Sequence, residues 1–213
     1  MAGTGFFDGL GDGLERELRA IMTRRRFERG EVVFHEGDPG VALHIVESGW
    51  FLIHTSSPSG ERVGMTIEGP GGVFGEMAMI AAKGLRTATI RALRAGETMS
   101  LDNERFQQLR HETAWVDRFL VSMLVQRVER LTEQLAETAW LPAEKRVCRQ
   151  LGRLAAIFEP GIIQLRQVEI AYLAQTTRPT VSTVLGDLRR AGILATGRGT
   201  VEVLDPAKLE ARM

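Results

Sequence analysis

The sequence predicts an α+β protein built in three parts. Residues 28–100 contain short runs of β-forming residues separated by Gly, Pro, Asp and Ser, the pattern of an antiparallel sheet or barrel with tight turns. Residues 113–140 change to a helical period, and two helical patterns joined by a short polar turn follow them. We therefore expect a β-rich domain over residues 1–112, a long helix over 113–140 and a small helical domain over 141–213.

The composition is that of an ordinary globular chain and argues against several classes of protein. Of 213 residues, 44% are hydrophobic and 25% are charged. The lone Cys148 cannot form an internal disulfide or hold an iron–sulfur cluster. No run approaches the roughly 20 apolar residues of a membrane-spanning helix, and the first residues do not resemble a signal peptide. We expect a cytoplasmic protein with no membrane anchor, no metal and no iron–sulfur cluster.

The formal net charge of zero conceals an uneven distribution. Residues 1–140 hold 16 Lys and Arg against 20 Asp and Glu, whereas residues 141–213 hold 11 against 7. The basic C-terminal third suits a polyanion such as nucleic acid, although differences of a few charges are common by chance.

Two further segments carry simpler signals, one before the β-rich part and one within it. The segment "LERELRAIM" has apolar residues at helical spacing and predicts a short packing helix before the strands. The segment "SSPSGER" predicts the loop of a hairpin.

The long helix carries a narrow apolar seam with charged flanks. The seam residues alternate at spacings of three and four: Val121, Leu124, Val128, Leu131 and Leu135. This spacing is typical of a coiled coil and predicts a homodimer through residues 113–140, the alternative being a core helix packed on its own domain. Pro142 marks the end of this helix and the first turn of the next.

The C-terminal part has the pattern of a helix-turn-helix. The first inner face would comprise Val168, Ile170, Leu173 and Ala174, and the second Val181, Leu185 and Leu188. Thr176 or Thr177 can cap the second helix, and Pro179 suits its first turn. In such a motif the second helix offers its N-terminal residues to the major groove of DNA.

The outer face of this motif is chemically suited to DNA. Arginine can bond the two acceptor atoms of guanine, and hydroxyls can bond phosphates or base edges. The segment "GILATGRGTVEVLD" predicts two short strands around a basic turn, a wing beside the helices. The candidate DNA-binding residues are Arg166, Thr177, Arg178, Thr180, Ser182, Thr183 and Arg198. The alternative is a three-helix module that packs on another protein.

The stretch "FGEMAMIAAKGLRTATIRAL" places one acid and one arginine in an apolar loop. A short helix start near residues 76–80 would offer free amides to an anion, Arg86 would match phosphate oxygens, and Thr87 adds a hydroxyl. Glu76 fits such a site only if it accepts hydrogen bonds from another part of the ligand, such as ribose hydroxyls. One arginine suits the single charge of a cyclic phosphodiester. The alternative is that Glu76 and Arg86 simply pair with each other.

These motifs together resemble one known family. "GEMAMIAAKGLRTATIRA" is similar to the phosphate-binding cassette of the cyclic AMP receptor protein family, which includes the fumarate and nitrate reduction (FNR) regulators. The glycine-punctuated β-roll from Gly30, the long helix, the "WLPAEKRV" hinge and "VEIAYLAQTTRPTVSTVLGDLRRAGIL" resemble it in the same order. The resemblance implies a jelly-roll-like β-roll that binds a cyclic nucleotide, a dimerisation helix and a winged helix-turn-helix.

The resemblance also implies roles for the cassette residues. Glu76 would bond the ribose 2′-hydroxyl, and Arg86 with Thr87 would hold the cyclic phosphate. The backbone near Gly75 and Ala88 would assist.

For the base, the resemblance implies contacts from Arg127 and Thr132 on the long helix. Leu131 occupies the first of two adjacent positions at which the best-known cyclic AMP receptor has hydroxyls. Thr87 after the arginine is compatible with cyclic AMP, the expected effector, but a threonine there can also serve a guanine in related pockets, so cyclic GMP stays open.

The family further implies an allosteric bacterial transcription regulator that binds a two-fold DNA operator as a homodimer and contacts RNA polymerase. Arg178 matches the guanine-reading arginine, whereas Pro179 replaces a glutamate and Thr183 stands where a second base-reading arginine is common. A relaxed or altered operator is expected.

Two other functions compete with this one. A family member could answer to another effector or to none. A nucleotide-processing enzyme is the remoter alternative, because the sequence shows no nucleophile with a base, no metal cluster and no second carboxylate near Glu76. We therefore predict no catalytic residues.

Overall fold

The computed structural model describes residues 6–7, 12–56, 62–158 and 161–213. The chain divides into two compact units, Met1–Glu129 and Arg130–Met213. Helices and strands occur in both units, which confirms the α+β class.

The first unit holds most of the strands. Its elements in chain order are α1 (Asp12–Ile21), β1 (Thr23–Phe27), β2 (Val32–Phe34), β3 (Ala42–Ser48), β4 (Phe51–Ser56), β5 (Arg62–Glu68), β6 (Val73–Phe74), α2 (Met77–Ile80), β7 (Thr89–Ala92), β8 (Gly96–Asp102) and α3 (Asn103–Glu112). The long helix α4 (Ala114–Trp140) begins in this unit and continues into the second.

The strands form two antiparallel four-stranded sheets in the orders β1-β8-β3-β6 and β2-β7-β4-β5. The sheets meet through aromatic side chains, since His44 and Phe74 of one sheet contact Phe34 and Phe51 of the other. The hairpin of β4 and β5 surrounds the predicted loop "SSPSGER", of which residues 57–61 lie outside the described part. The glycine-punctuated pattern therefore does correspond to antiparallel strands.

Helix α1 packs into a second apolar cluster of the first unit. Leu18 is almost fully buried and packs in the same cluster as Leu43, Leu101 and Phe106. Its helical spacing of apolar residues thus predicts its packing role correctly.

Helix α4 is buried only at its start, where Val116 and Leu120 join the core of the first unit. The seam residues beyond them are exposed on the chain: Val121 at 61%, Leu124 at 36%, Val128 at 62%, Leu131 at 58% and Leu135 at 72%. In the described part of the chain these side chains stay exposed, so the alternative of a core helix does not describe α4 beyond Leu120, apart from the partly buried Met123.

The second unit is a small helical domain with a three-stranded sheet. After the end of α4 it contains α5 (Ala143–Ile157), β9 (Ile162–Ile163), α6 (Gln167–Leu173), α7 (Arg178–Arg190), β10 (Leu194–Gly197), β11 (Thr200–Val203) and α8 (Pro206–Glu210). The strands pair antiparallel in the order β10-β11-β9, and β10 and β11 flank the predicted basic turn.

Helices α6 and α7 form the predicted helix-turn-helix. Thr177 is the N-cap of α7, and its hydroxyl accepts from the Thr180 amide. The predicted inner face of α7 is buried, but that of α6 is partly wrong: Val168 and Leu173 are half-buried, whereas Ala171 is buried. The buried residues of α6 are Glu169, Ile170 and Ala171, and Ala174 is buried directly after it.

The described residues contain no helix that is both long and apolar enough to cross a membrane. In the same part of the chain no three His, Cys, Asp or Glu side chains gather in a way that could hold a metal ion.

Candidate functional site

The loop between β6 and β7 is held in place by backbone hydrogen bonds to the segment between β2 and β3. The Arg86 amide donates to the Asp38 carbonyl at 2.8 Å, and the Gly37 amide donates to the Arg86 carbonyl at 2.9 Å. The Gly40 amide donates to the Gly84 carbonyl at 2.8 Å. Hydrogen bonds therefore hold both the amide and the carbonyl of Arg86, and they fix the position from which its side chain extends.

The guanidinium of Arg86 is buried, with 5% of the residue exposed. Its Nη1 donates to the Gly75 carbonyl at 3.0 Å, and its Cζ lies 3.9 Å from the centroid of the Phe34 ring. Its Nε is buried and has no hydrogen-bond partner among the described residues. A buried donor without a partner is unfavourable, so this geometry is suited to an anionic ligand that would complete it.

Burial also lowers the pKa of Arg86, while the carboxylates of Asp38 and Glu76 oppose that shift. The guanidinium stays protonated, because arginine is not deprotonated in proteins at ordinary pH. The loop therefore keeps a fixed positive charge in a largely desolvated position.

Gly75 allows this arrangement in two ways. Its φ is +86°, a conformation that glycine adopts without strain. A Cβ on this residue would lie 2.6 Å from Nη1 of Arg86. Any larger residue at position 75 would displace the guanidinium.

Glu76 is 1% exposed and lies at the N-cap of α2 without capping it. Its Oε1 accepts from Nη1 of Arg127 on α4 at 2.8 Å. The alternative in which Glu76 pairs with Arg86 is therefore wrong, since the ion pair of this carboxylate is with a residue 51 positions away.

The structure brings four predicted site residues together: Gly75, Glu76, Arg86 and Arg127. Thr87 follows Arg86 at the surface, and Ala88 is half-buried. The other two predicted ligand residues, Leu131 and Thr132, are exposed on α4 within the second unit.

Sequence reasoning missed the aromatic environment of the arginine. His44 stacks on Phe74 with ring centroids 5.2 Å apart, and its Nδ1 lies 3.0 Å from the Thr98 hydroxyl. Burial, with smaller effects from Arg86 and Arg25, lowers the pKa of His44 to about 3. The histidine is therefore neutral at physiological pH and adds no charge beside the arginine. The run "ALHIV" of a fully buried strand is the signal that could have placed it in the core.

In the second unit, the N-terminal end of α7 presents the candidate DNA-binding residues. Arg178 is the first residue of α7 and is exposed. The Thr180 hydroxyl lies 2.9 Å from that of Thr177, so these two groups partner each other in the capping turn. Arg178 is thus the residue of this turn whose side chain is both charged and exposed.

The remaining candidates are exposed but differ in what they offer. Ser182 is exposed on the surface of α7, whereas the Thr183 hydroxyl donates to the Pro179 carbonyl at 3.1 Å and presents its oxygen as an acceptor. Arg198 is exposed in the turn between β10 and β11. Arg166 occupies the N-cap position of α6, where its amide and its Nη2 both donate to the Glu169 carboxylate, at 2.9 Å and 3.2 Å.

Comparison with known proteins relates both units to one family. Residues 24–113 match the cyclic nucleotide-binding domain, and residues 145–212 match the Crp-like helix-turn-helix domain. The cyclic AMP receptor protein of Thermus thermophilus is 32% identical over 210 residues, which cover 99% of this chain and 97% of that protein. This chain belongs to the CRP/FNR family.

Other members of the CRP/FNR family are similar over nearly their full length. A CRP-like cAMP-activated global transcriptional regulator of Mycobacterium tuberculosis is 30% identical, with 96% of each chain covered. The crystal structure of the Thermus thermophilus catabolite activator protein matches with a TM-score of 0.55 at 32% identity, over 97% of this chain and 96% of that one. The c-di-GMP-responsive regulator CLP of Xanthomonas campestris matches with a TM-score of 0.72 at 27% identity, over 91% and 99%.

The family establishes the general activity. The chain is a DNA-binding transcriptional regulator with a cyclic nucleotide-binding domain, and the relatives it matches are regulators and not enzymes.

Proposed function

We propose that this chain is a homodimeric transcriptional regulator whose binding to DNA is controlled by cyclic AMP. The observation that carries this proposal is the buried guanidinium of Arg86, whose Nε has no partner among the described residues. A desolvated cation with an unused donor suits one small anion, and a cyclic phosphodiester carries the required single charge.

Glu76 supports a ligand that has a sugar beside the phosphate. A buried carboxylate next to an anion would be repelled by it unless it has its own cation and a hydrogen-bond donor. Arg127 supplies the cation at 2.8 Å, and a ribose hydroxyl would supply the donor. Gly75, Glu76, Arg86 and Thr87 would hold the sugar and phosphate, with the backbone of Ala88 assisting.

Cyclic AMP is favoured over other effectors by the relatives, two of which carry it in their names. Leu131 replaces a hydroxyl at a predicted base contact, and Thr132 remains the other predicted contact. Cyclic GMP and cyclic di-GMP are the effectors that compete, the second because a structural relative is described as responsive to it.

The exposed seam of α4 supports dimerisation. Five apolar side chains at coiled-coil spacing remain exposed on the chain, and a second copy of the same helix would cover them. The proposed organisation keeps residues 1–112 as the nucleotide-binding domain, 113–140 as the dimerisation helix and 141–213 as the DNA-binding domain.

In the proposed dimer, two copies of α7 read a two-fold symmetric operator. Half-sites one turn apart require the recognition helices to lie roughly 34 Å from each other. Arg178 would read a guanine and Arg198 would contact the backbone, with the other candidates contributing hydroxyls. RNA polymerase is a further proposed partner, and the proposed DNA target would require the protein to act in the bacterial cytoplasm.

Helix α4 offers a route for allosteric control. It carries Arg127, the partner of Glu76, and it ends at Trp140 directly before the hinge and the DNA-binding domain. Nucleotide binding would favour one arrangement of the paired helices and one spacing of the recognition helices.

Calorimetric titration of the full-length protein with cyclic AMP, cyclic GMP and cyclic di-GMP tests the proposal. We expect heat from cyclic AMP with one site per chain. Heat from only one of the other nucleotides would replace the effector, and no heat from any of them would overturn nucleotide control.

A further inference from the structure

We propose that Arg146 is a positioning residue for DNA recognition, because it ties the turn before the recognition helix α7 to the C-terminal end of α4. All the groups concerned lie in the second unit. The proposal rests on the proposed function, in which α4 carries the nucleotide signal.

One guanidinium makes all of these contacts. Arg146 Nε donates to the Ala174 carbonyl at 3.1 Å, and Nη2 donates to the Gln175 carbonyl at 2.8 Å. On the other side, Nη1 donates to the Leu141 carbonyl at 2.6 Å and lies 3.4 Å from that of Thr138. Arg146 therefore bonds carbonyls from two separate helix ends.

These carbonyls are the groups that most need an external donor. The last carbonyls of a helix have no partner within it and carry the negative end of the helix dipole. Leu141 directly follows α4, and Ala174 is the C-cap of α6. A planar guanidinium can serve both helix ends at once, whereas a lysine ammonium is a single point with a different geometry.

Arg146 is itself firmly placed. Its amide donates to the Pro142 carbonyl at 3.1 Å in the first turn of α5, and the next two residues, Val147 and Cys148, are fully buried. The guanidinium therefore extends from a part of the helix that is anchored in the core of the unit.

The turn that Arg146 holds determines where α7 begins. Gln175 has a φ of +49°, which is unusual for a residue other than glycine, and Thr177 caps α7 two residues later. The Gln175 side chain also contacts the Thr138 hydroxyl on α4. Only a few residues separate the Ala174 and Gln175 carbonyls, which Arg146 binds, from Arg178. A displacement of the end of α4 would therefore also move the N-terminal end of the recognition helix.

A neighbouring arginine provides a matched control. Arg149 lies one turn further along α5, and its Nη1 donates to the Glu137 carboxylate of α4 at 2.8 Å. It thus also links α5 to α4, but through a side chain and not through the carbonyls of the turn.

The test compares Arg146→Lys, Arg149→Lys and the wild type as full-length proteins. The probe is a duplex that the wild type selects from a random-sequence pool at saturating cyclic AMP, and its affinity is measured with and without cyclic AMP. For Arg146→Lys we expect the cyclic AMP-dependent gain in DNA affinity to fall on the order of tenfold, while the affinity for cyclic AMP without DNA is kept. Arg149→Lys should keep the wild-type gain.

The cyclic AMP-dependent gain in DNA affinity distinguishes a positioning role from a merely structural one. Loss of a structural residue would weaken DNA binding equally with and without cyclic AMP. A wild-type gain in Arg146→Lys, or an equal loss in Arg149→Lys, would overturn the proposal. If the wild type itself shows no gain, the proposed function fails, and amide hydrogen exchange then decides on Arg146. Faster exchange in both 138–142 and 174–177 in Arg146→Lys alone would support the clamp, and unchanged exchange would refute it.

Discussion

Replacing Arg86 with leucine should weaken nucleotide binding strongly while leaving the protein folded. The substitution removes the guanidinium that would hold the phosphate. Hydrogen bonds to charged groups contribute about 1.5–3 kcal/mol each, so losing two of them weakens nucleotide binding by roughly 3–6 kcal/mol. Since about 1.4 kcal/mol corresponds to tenfold, affinity should fall on the order of a hundredfold to ten-thousandfold.

The effect on the fold should be small, because two changes oppose each other. The variant loses the bond from Nη1 to the Gly75 carbonyl and the contact with the Phe34 ring, which contribute about 2–4 kcal/mol together. It also removes a buried Nε without a partner among the described residues, which relieves a penalty of about 1–3 kcal/mol. The net change in the free energy of unfolding should therefore lie between a gain of about 1 kcal/mol and a loss of about 3 kcal/mol.

Lys83→Leu is the matched control for this experiment. Lys83 is exposed in the same loop, so the variant removes an identical charge at the surface and should bind like the wild type. Calorimetry with cyclic AMP and urea denaturation would be run on all three proteins. A folded Arg86→Leu variant with wild-type affinity would refute the assignment of Arg86 to the phosphate.

Three further predictions concern the core, the seam and the recognition helix. Because the pKa of His44 is about 3 in the folded protein and 6.5 otherwise, only the unfolded chain gains this proton between those values, so stability falls as pH drops below about 6.5. In urea denaturation, the free energy of unfolding of His44→Gln should fall less between about pH 6.5 and pH 5 than that of the wild type. An equal fall in both proteins would contradict the lowered pKa of His44. Leu135→Glu places a charge in the seam and should yield monomers in analytical ultracentrifugation, whereas Ala136→Glu beside it should stay dimeric; a dimeric Leu135→Glu would exclude the seam as the interface. Arg178→Ala should lose about 1–3 kcal/mol of discrimination at one base pair in competition binding, whereas Arg190→Ala at the other end of α7 should not, and equal discrimination in both would remove Arg178 from base reading.

The local elements of the fold were predictable because each has a periodic or turn signal. The glycine-punctuated runs form the strands, the spacing from Val121 to Leu135 lies on α4, and Thr177 with Pro179 opens α7. These features depend on neighbours within a few residues, and the sequence records them directly.

The sequence predicts which residues belong to the candidate site, but not which of them form ion pairs with each other. Glu76 and Arg86 stand out in an apolar loop, and their spacing alone is as compatible with a mutual ion pair as with a ligand. The observed partner of Glu76 is Arg127, 51 residues away, and only the tertiary structure brings these two together. Pairing over such a distance leaves no periodic signal.

The contacts of Arg146 could not be predicted for a different reason. All its acceptors are backbone carbonyls, which every residue possesses, so no side-chain pattern marks them. In the sequence, Arg146 is one of several charged residues on an amphipathic helix, and the structure shows it half-buried. Its role follows from where two helices end, which is a property of the packed unit.

The most direct test of the central claim is the affinity of the full-length protein for its selected DNA duplex, measured by fluorescence anisotropy without nucleotide and at saturating cyclic AMP. Nucleotide control predicts a gain in affinity of about 5–150-fold, and linkage requires the DNA to raise the affinity for cyclic AMP by the same factor. Equal DNA affinity in the two conditions, from a protein that binds cyclic AMP, would contradict the claim that the nucleotide controls DNA binding.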